Sequence, residues 1–390
     1  MTTFAQLGIE NRGLEILSNH KIENPTPIQE LVIPRVLKRE SLLATSQTGS
    51  GKTLAFLLPL FQNLNVDDQS GTKSLILVPT RELAIQISSV AQLMAEAFSV
   101  SFTTIYGGVE YQPQIDALKN NPQLIIATPG RLIDLMEKGA VSLQDLSYFI
   151  LDEADHMLDL GFRDAILDLA KFRAEDACTL CFSATLPEKV EQTIQQIAPN
   201  IQRLGVQSAA IAVDQIEQTG YFVEFSMMDA LLLHLLKKEQ CEHAILFTRS
   251  RKMADRLAKL LCENKISAEA MHADRSQVAR EYILARFKSG ETQLIVATDV
   301  IARGIDIDNV GHVFNYGFPQ DAEQYVHRIG RTGRAGRCGK AITLSPPEEH
   351  NLHRDICTFM RKNIPMNTDH PYKTIKLLKL LEVAKKKGNN

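Results

Sequence analysis

Short runs of β-branched and apolar residues recur at 41–44, 74–78, 102–106, 124–127, 148–151 and 179–182, each separated from the next by a stretch of helical periodicity. Strands that are apolar on both faces need cover on both, and strands joined through helices are held parallel by the crossover. The alternation therefore predicts an α/β fold, a parallel sheet covered by helices on both faces, with ligands at the carboxyl ends of its strands. A second series of the same kind follows at 220–225, 244–247, 268–271, 293–297, 312–315 and 341–344. At 390 residues the chain exceeds what one core usually reaches, so the two series read as two domains. Their boundaries fall at 1–206 and 217–366. The small, polar stretch beginning at Gly205-Val206-Gln207-Ser208 marks a linker over 207–216, and 367–390 is a short basic tail. In that tail, lysines surround Ile375, Leu377, Leu378, Leu380 and Leu381, a pattern for an amphipathic helix that packs its leucines on the second domain or contacts nucleic acid or a protein partner.

Composition narrows the class. With 44% hydrophobic and 23% charged residues the chain is globular, and a net charge of -3 excludes binding nucleic acid through a globally basic surface. Any such binding must be local or conditional. No apolar run approaches the roughly 20 residues of a membrane span, and Met1-Thr2-Thr3-Phe4-Ala5 does not begin like a signal peptide. The cytoplasm, with no membrane partner, is the expectation. Of the six cysteines only Cys178 and Cys181 have metal-like spacing, and without a second pair they read as reduced core residues.

The chemistry concentrates in a few motifs. Ser46-Gln47-Thr48-Gly49-Ser50-Gly51-Lys52-Thr53 lies between an expected strand and an expected helix, where backbone N–H groups and the helix start cradle phosphates. Lys52 supplies a charge to the β- and γ-phosphates and Thr53 a hydroxyl for Mg²⁺. About a hundred residues on, an apolar strand ends in Asp152-Glu153-Ala154-Asp155. Asp152 would hold Mg²⁺ through its water shell, and Glu153 would orient and deprotonate the attacking water. Alone, such acidic residues would read as a helix start; beside a phosphate loop they read as a metal and water station. Arg328, Arg331, Arg334 and Arg337, three residues apart, form a focused anion site, the simpler alternative being a solvated basic turn.

Together these motifs resemble the DEAD-box helicases of superfamily 2, and further motifs follow in the family's order from Phe4 to Arg337. The resemblance implies two RecA-like domains and an ATP-dependent RNA helicase whose cofactors are ATP and Mg²⁺. Pro25-Thr26-Pro27-Ile28-Gln29 looks like the Q motif, in which Gln29 reads adenine and Phe4 stacks on it, although Lys21-Ile22 stands where the family usually has glycine and an aromatic. Pro79, Arg81, Gly108, Thr128 and Arg131 fall in motifs that contact RNA in the first domain. Thr248, Arg249, Gln277, Arg280, Thr298 and Asp299 do so in the second. By the same resemblance Asp306 faces the ribose, Arg331 and Arg334 are arginine fingers, and Ser183 and Thr185, with Asp155 and His327, couple ATP to RNA. At Asn315-Tyr316-Gly317-Phe318-Pro319 many relatives carry an acidic residue in place of Gly317.

Phosphate and 2′-hydroxyl contacts imply RNA over DNA with little sequence preference. ATP and RNA together would close the two domains, bend one strand and melt a short duplex. An ATP-gated RNA clamp fits the same motifs, while a DNA translocase fits Gln29 and Asp155 less well. The compact chain, with Gly336-Arg337-Cys338-Gly339 and a lysine-rich end, resembles the bacterial RhlE type, which implies ribosomal or RNA-decay proteins as partners.

Overall fold

A computed structural model describes residues 2–45, 50–66, 71–144, 146–205, 216–299, 307, 310–333 and 339–373. The chain forms two compact units that divide between residues 209 and 210. In the first, β1 (Leu42–Thr45), β2 (Ser74–Leu77), β3 (Phe102–Ile105), β4 (Leu124–Ala127), β5 (Leu146–Leu151), β6 (Arg173–Ser183) and β7 (Gln202–Gly205) make one sheet, in the order β3-β4-β2-β5-β6-β1-β7. In the second, β8 (Ile216–Phe222), β9 (Ala244–Thr248), β10 (Ala268–Met271), β11 (Leu294–Thr298), β12 (His312–Tyr316), β13 (Gly339–Ser345) and β14 (Met366–Asn367) are ordered β10-β11-β9-β12-β13-β8-β14. Strand for strand this is the same order, and every described pairing is parallel.

The apolar runs are continuous because both faces are covered. In β5, Tyr148 and Ile150 join one core cluster and Phe149 and Leu151 the other, and Ile76 and Leu77 of β2 divide the same way. The Arg81–Phe98 helix shows how a covering element is specified. Thr80 caps its start by accepting the Leu83 N–H at 3.3 Å, and Leu83, Ala84, Ile87, Ala91, Met94 and Phe98 make its buried stripe. Cys178 and Cys181 of β6 fall in the two different clusters, so their thiols point to opposite faces of the sheet and cannot share a metal. Burial pushes the Cys178 thiol up to about 12.

Several element limits differ from the expectation. β8 begins at Ile216, inside the stretch read as linker, and ends at Phe222; Phe225 lies in a 3₁₀ turn (Phe225–Met227) instead of the strand. Ile216-Glu217-Gln218 does not read as a strand because the second inward position is polar; buried Gln218 accepts the Tyr325 hydroxyl at 3.2 Å. β7 and β14 went unforeseen because one is a polar, mostly exposed edge and the other only two residues long. The sheet therefore runs to Asn367, into the stretch read as tail; the expected amphipathic helix lies outside the described residues, except that Tyr372 packs on the second core.

Candidate functional site

At one rim of the first sheet the carboxyl ends of β5, β6 and β1 are neighbours, since Leu151 pairs with Cys181 and Thr45 with Ser183. The chain leaving these ends carries Asp152 to Asp155, Ser183 to Thr185, and the loop into the Lys52–Val66 helix. Gln47, Thr48 and Gly49 lie outside the described residues; Ser50, Gly51, Lys52 and Thr53 do not. Gly51 sits at φ +88, where a Cβ would come within 2.6 Å of Gln29 Nε2. Through that close approach Gln29 Nε2 donates to Gly51 O at 3.1 Å, and the Thr26 hydroxyl donates to Ser50 O at 2.8 Å. Gln29 Oε1 accepts the Thr26 N–H at 2.8 Å, which leaves one Nε2 hydrogen for a ligand. Thr26 was missed, though Thr-x-x-Gln is capping-box spacing.

Phe4 is a correction. It is 3% exposed and belongs to the first core cluster, so it offers no open ring face to a base. An aromatic this deep contributes burial, and the sequence alone does not distinguish that from stacking.

Lys52 Nζ lies 2.7 Å from Asp152 Oδ1, and both side chains are buried. Burial draws the lysine pKa down, but Asp152 and then Glu153 raise it more, so it stays above its ordinary value and protonated. Burial lifts the Asp152 carboxyl, and Lys52 only partly restores it. Asp152 Oδ2 is buried and without a hydrogen bond. One ammonium thus faces two carboxylates with an oxygen to spare, a donor set that suits a hard divalent cation. Glu153 adopts φ +54 and ψ 53, a left-handed conformation that costs a non-glycine residue about 1 kcal/mol and tends to occur at functional sites. Its Oε2 lies 3.2 Å from His156 Nδ1. His156 was missed; the i,i+3 spacing on the Ala154–Asp159 helix was the available signal.

Asp155 ties β5 to the chain leaving β6. Its Oδ2 accepts the Thr185 hydroxyl at 2.9 Å and the Thr185 N–H at 3.0 Å, and its own N–H donates to Ser183 Oγ at 3.2 Å. Ser183 therefore meets the backbone of Asp155, and Thr185 its carboxylate.

Further along the same rim come the first-domain residues expected at RNA. Pro79 and Arg81 follow β2, Gly108 follows β3, and Thr128 and Arg131 follow β4. Pro79 and Thr128 are buried, whereas Gly108 is exposed at φ +79. Four strand spacings, about 19 Å, separate β4 from β1, so the two groups share a rim without overlapping.

In the second unit the corresponding rim carries Thr248, the last residue of β9, with Arg249 after it, Thr298, the last residue of β11, with Asp299 after it, and the Gln277–Lys288 helix with Arg280 after β10. Thr248 is 1% exposed and Thr298 is buried, so their side chains are not open to a ligand. Asp299 pairs with Arg328: Arg328 Nη2 donates to its Oδ2 at 2.8 Å and Arg328 Nε to its Oδ1. A carboxylate also repels phosphate, and this one holds a buried arginine in place. Arg249 Nε donates to Phe318 O at 2.9 Å and Nη2 pairs with Glu349 Oε1 at 2.7 Å. His327 lies in the last turn of the Ala322–Ile329 helix, and Arg331 is buried in the turn after it. Asp306, Arg334 and the Gln277 side chain lie outside the described residues.

The chain matches two family models, "DEAD/DEAH box helicase" over 26–193 and "Helicase conserved C-terminal domain" over 227–336. It is 37% identical to the DEAD-box ATP-dependent RNA helicase CshA of Geobacillus kaustophilus, over 98% of this chain and 84% of that one. It is 38% identical to the ATP-dependent RNA helicase DeaD of Escherichia coli, over 93% of this chain and 58% of that one. Among solved structures, Saccharomyces cerevisiae Dbp5 bound to RNA and ADP BeF3 superposes with a TM-score of 0.84 at 30% identity, covering 99% of each chain. The DEAD-box helicase Mss116 bound to ssRNA and UDP-BeF gives 0.85 at 29% identity, covering 98% of this chain and 83% of that one.

Proposed function

The chain belongs to the DEAD-box ATP-dependent RNA helicases, and from that premise we propose how its residues divide the work. It is an RNA-stimulated ATPase that uses ATP to unwind or remodel RNA. The first RecA-like domain ends by residue 206, and the second runs from Ile216 to Asn367. Within the family we propose the bacterial RhlE type, on the compact chain and its lysine-rich end.

Backbone N–H groups of the loop 46–53 cradle the phosphates. Lys52 exchanges Asp152 for the β- and γ-phosphates when nucleotide arrives. Asp152 and Thr53 would hold Mg²⁺, which would neutralise phosphate charge; the spare Asp152 oxygen supports this. Glu153, held near His156, takes the proton of the attacking water. Gln29 reads adenine with its remaining N–H, Asp306 meets the ribose, and Arg331 with Arg334 stabilises the γ-phosphate. Arg81, Gly108 and Arg131 with the start of the Pro129–Glu137 helix take RNA phosphates in the first domain. Arg249, Gln277 and Arg280 do so in the second, with the buried Thr248 and Thr298 shaping that rim.

The observation that carries the coupling is the Asp155–Thr185 pair, which fixes the strand end bearing Glu153 to the strand beside the phosphate loop. A nucleotide-dependent shift of either end is transmitted to the other. The test is ATP hydrolysis with RNA or DNA as stimulant, beside displacement of a short duplex with a loading strand. Stimulation by RNA alone with displacement is expected; ATP-dependent binding without displacement would replace the helicase reading by a clamp. The cytoplasm as compartment is supported by free thiols at Cys178, Cys181, Cys241, Cys262 and Cys357. No helix among the described residues is long and apolar enough to cross a membrane. Ribosomal or RNA-decay proteins are the partners to seek, by affinity capture with and without ribonuclease.

A further inference from the structure

Both first-domain arginines assigned to RNA lie over tyrosines, and the two tyrosines come from one short segment, 106–111. Arg81 Cζ is 4.8 Å from the centroid of the Tyr106 ring, and Arg131 Cζ is 4.1 Å from that of Tyr111. The segment is itself fixed from below. Buried Gln114 accepts the Tyr106 N–H at 2.9 Å and donates to Tyr106 O at 3.3 Å and Glu110 O at 3.2 Å. Arg131 Nη2 donates to Val109 O at 2.9 Å, so the guanidinium is held by the segment's backbone as well as by its ring. Tyr111 is held in turn: its hydroxyl donates to Asp134, one turn along the helix from Arg131, and Lys138 Nζ lies 4.5 Å from its ring. Between the tyrosines, Gly108 takes φ +79, and a Cβ there would lie 3.7 Å from Arg81 Nη1. Arg131 Nη1 is buried and makes no hydrogen bond, so the arginine is restrained while one of its donors is unspent.

We propose that segment 106–111 is an aromatic positioning element, in which Tyr111 sets Arg131 and Tyr106 sets Arg81 for RNA phosphate. The proposal rests on the reading that those arginines contact RNA. A free arginine samples many rotamers and loses them on binding; one stacked on a ring and tied to a carbonyl has already lost most of them. Neither tyrosine needs to touch RNA for this, so each is a positioning residue. The Gly107-Gly108 turn gives the strand room to approach while the flanking rings keep the two guanidinium groups in place.

The experiment measures ATP hydrolysis by the full chain against the concentration of a single-stranded RNA. The variants are Tyr111→Leu, Tyr111→Phe, Arg131→Ala and the double variant Tyr111→Leu/Arg131→Ala, with the matching set at Tyr106 and Arg81. Tyr111→Leu should raise the half-saturating RNA concentration about 3- to 10-fold while the maximal rate moves less than twofold. Tyr111→Phe, which keeps the ring and loses only the bond to Asp134, should stay within about twofold of the parent. With alanine at 131, leucine at 111 should add nothing. If the leucine effect persists in full without Arg131, Tyr111 acts on RNA or on the fold directly and the positioning proposal fails. If Arg131→Ala weakens RNA dependence and Tyr111→Leu does not, the proposal also fails, with the RNA reading of Arg131 intact. If Arg131→Ala leaves RNA dependence unchanged, that reading itself is wrong.

Discussion

Glu349 supplies the carboxylate that Arg249 faces: Oε1 lies 2.7 Å from Arg249 Nη2, while Oε2 accepts the Phe318 N–H at 3.1 Å and the Ser345 hydroxyl at 2.9 Å. Gly317 stands where the family resemblance implies an acidic residue. Here Gly317 sits at φ +91, its virtual Cβ 3.5 Å from both Arg249 Cζ and Glu349 Oε2. The carboxylate beside Arg249 thus comes from the turn after β13 and lies next to the end of β12. Arg249 is left with Nη1 as its uncommitted donor.

Replacing Glu349 by alanine frees the guanidinium on one side. The half-saturating RNA concentration should rise about threefold to tenfold, in line with one charged hydrogen bond to an ordering residue, while the rate at saturating RNA changes less than twofold. An RNA titration of ATP hydrolysis reads both quantities. An unchanged midpoint would mean that Phe318 O alone holds the arginine.

Glu153→Gln keeps the shape of the side chain and removes its basicity. Turnover should fall by about 10² to 10⁴, the usual contribution of a general base, while RNA binding still depends on ATP. Single-turnover hydrolysis beside a gel-shift assay separates the two. RNA-stimulated phosphate release at an undiminished rate in this variant would remove Glu153 from the chemistry.

Gly51→Ala places a methyl group 2.6 Å from Gln29 Nε2 at a φ that only glycine adopts easily. The loop or the Pro27–Leu37 helix must move, and the bond from Gln29 to Gly51 O is lost. ATP affinity should drop at least about tenfold, as expected for a strain above 1 kcal/mol at the phosphates. Fluorescent-nucleotide titration checks this, and an unaltered Kd would show that the join is dispensable.

Asp229 accepts two bonds from Arg256, at 2.6 and 2.9 Å, and one from the Tyr316 hydroxyl at 2.7 Å. The Arg256 hydrogen bonds, with help from Tyr316, hold its pKa below the ordinary 3.8. A carboxylate with a lowered folded-state pKa stabilises above the unfolded value and loses that contribution as the pH falls through the folded one. Thermal unfolding of the full chain should therefore lose less, on acidification below 3.8, in Asp229→Asn than in the parent, from a lower starting midpoint. Parallel curves for the two proteins would show that the pair contributes no pH-dependent stability.

The Leu180→Ala substitution tests the core under the site. Leu180 pairs with Leu42 and Ile150 in the strand between β1 and β5 and is fully buried. Cavity formation should cost about 2 to 5 kcal/mol, visible as a lower denaturation midpoint in guanidinium with little change in slope.

The α/β fold, the parallel sheets and the gathering of candidate residues at one rim were legible because their signals are local: apolar runs such as Phe149-Ile150-Leu151, and charged residues immediately after them. What escaped was carried by tertiary partners. Phe4 looks the same in sequence whether it stacks on a base or fills a core. Asp299 and Arg328 are 29 residues apart and meet only when β11 and the Ala322–Ile329 helix are assembled. Glu349 and Arg249 are farther apart still, and nothing local marks either as the other's partner. Polar edge β7 and the buried Gln218 hid two strand limits for the same reason, since their fit depends on neighbours rather than on periodicity.

The repeated strand order has a further consequence. In the first sheet β1 opens into the phosphate loop, whereas β8, which holds the same place in the second, runs through Val223 and Glu224 into the Phe225–Met227 turn. The repeated order of strands therefore does not repeat the loop: Gly49-Ser50-Gly51-Lys52-Thr53 occurs once in the sequence, after β1.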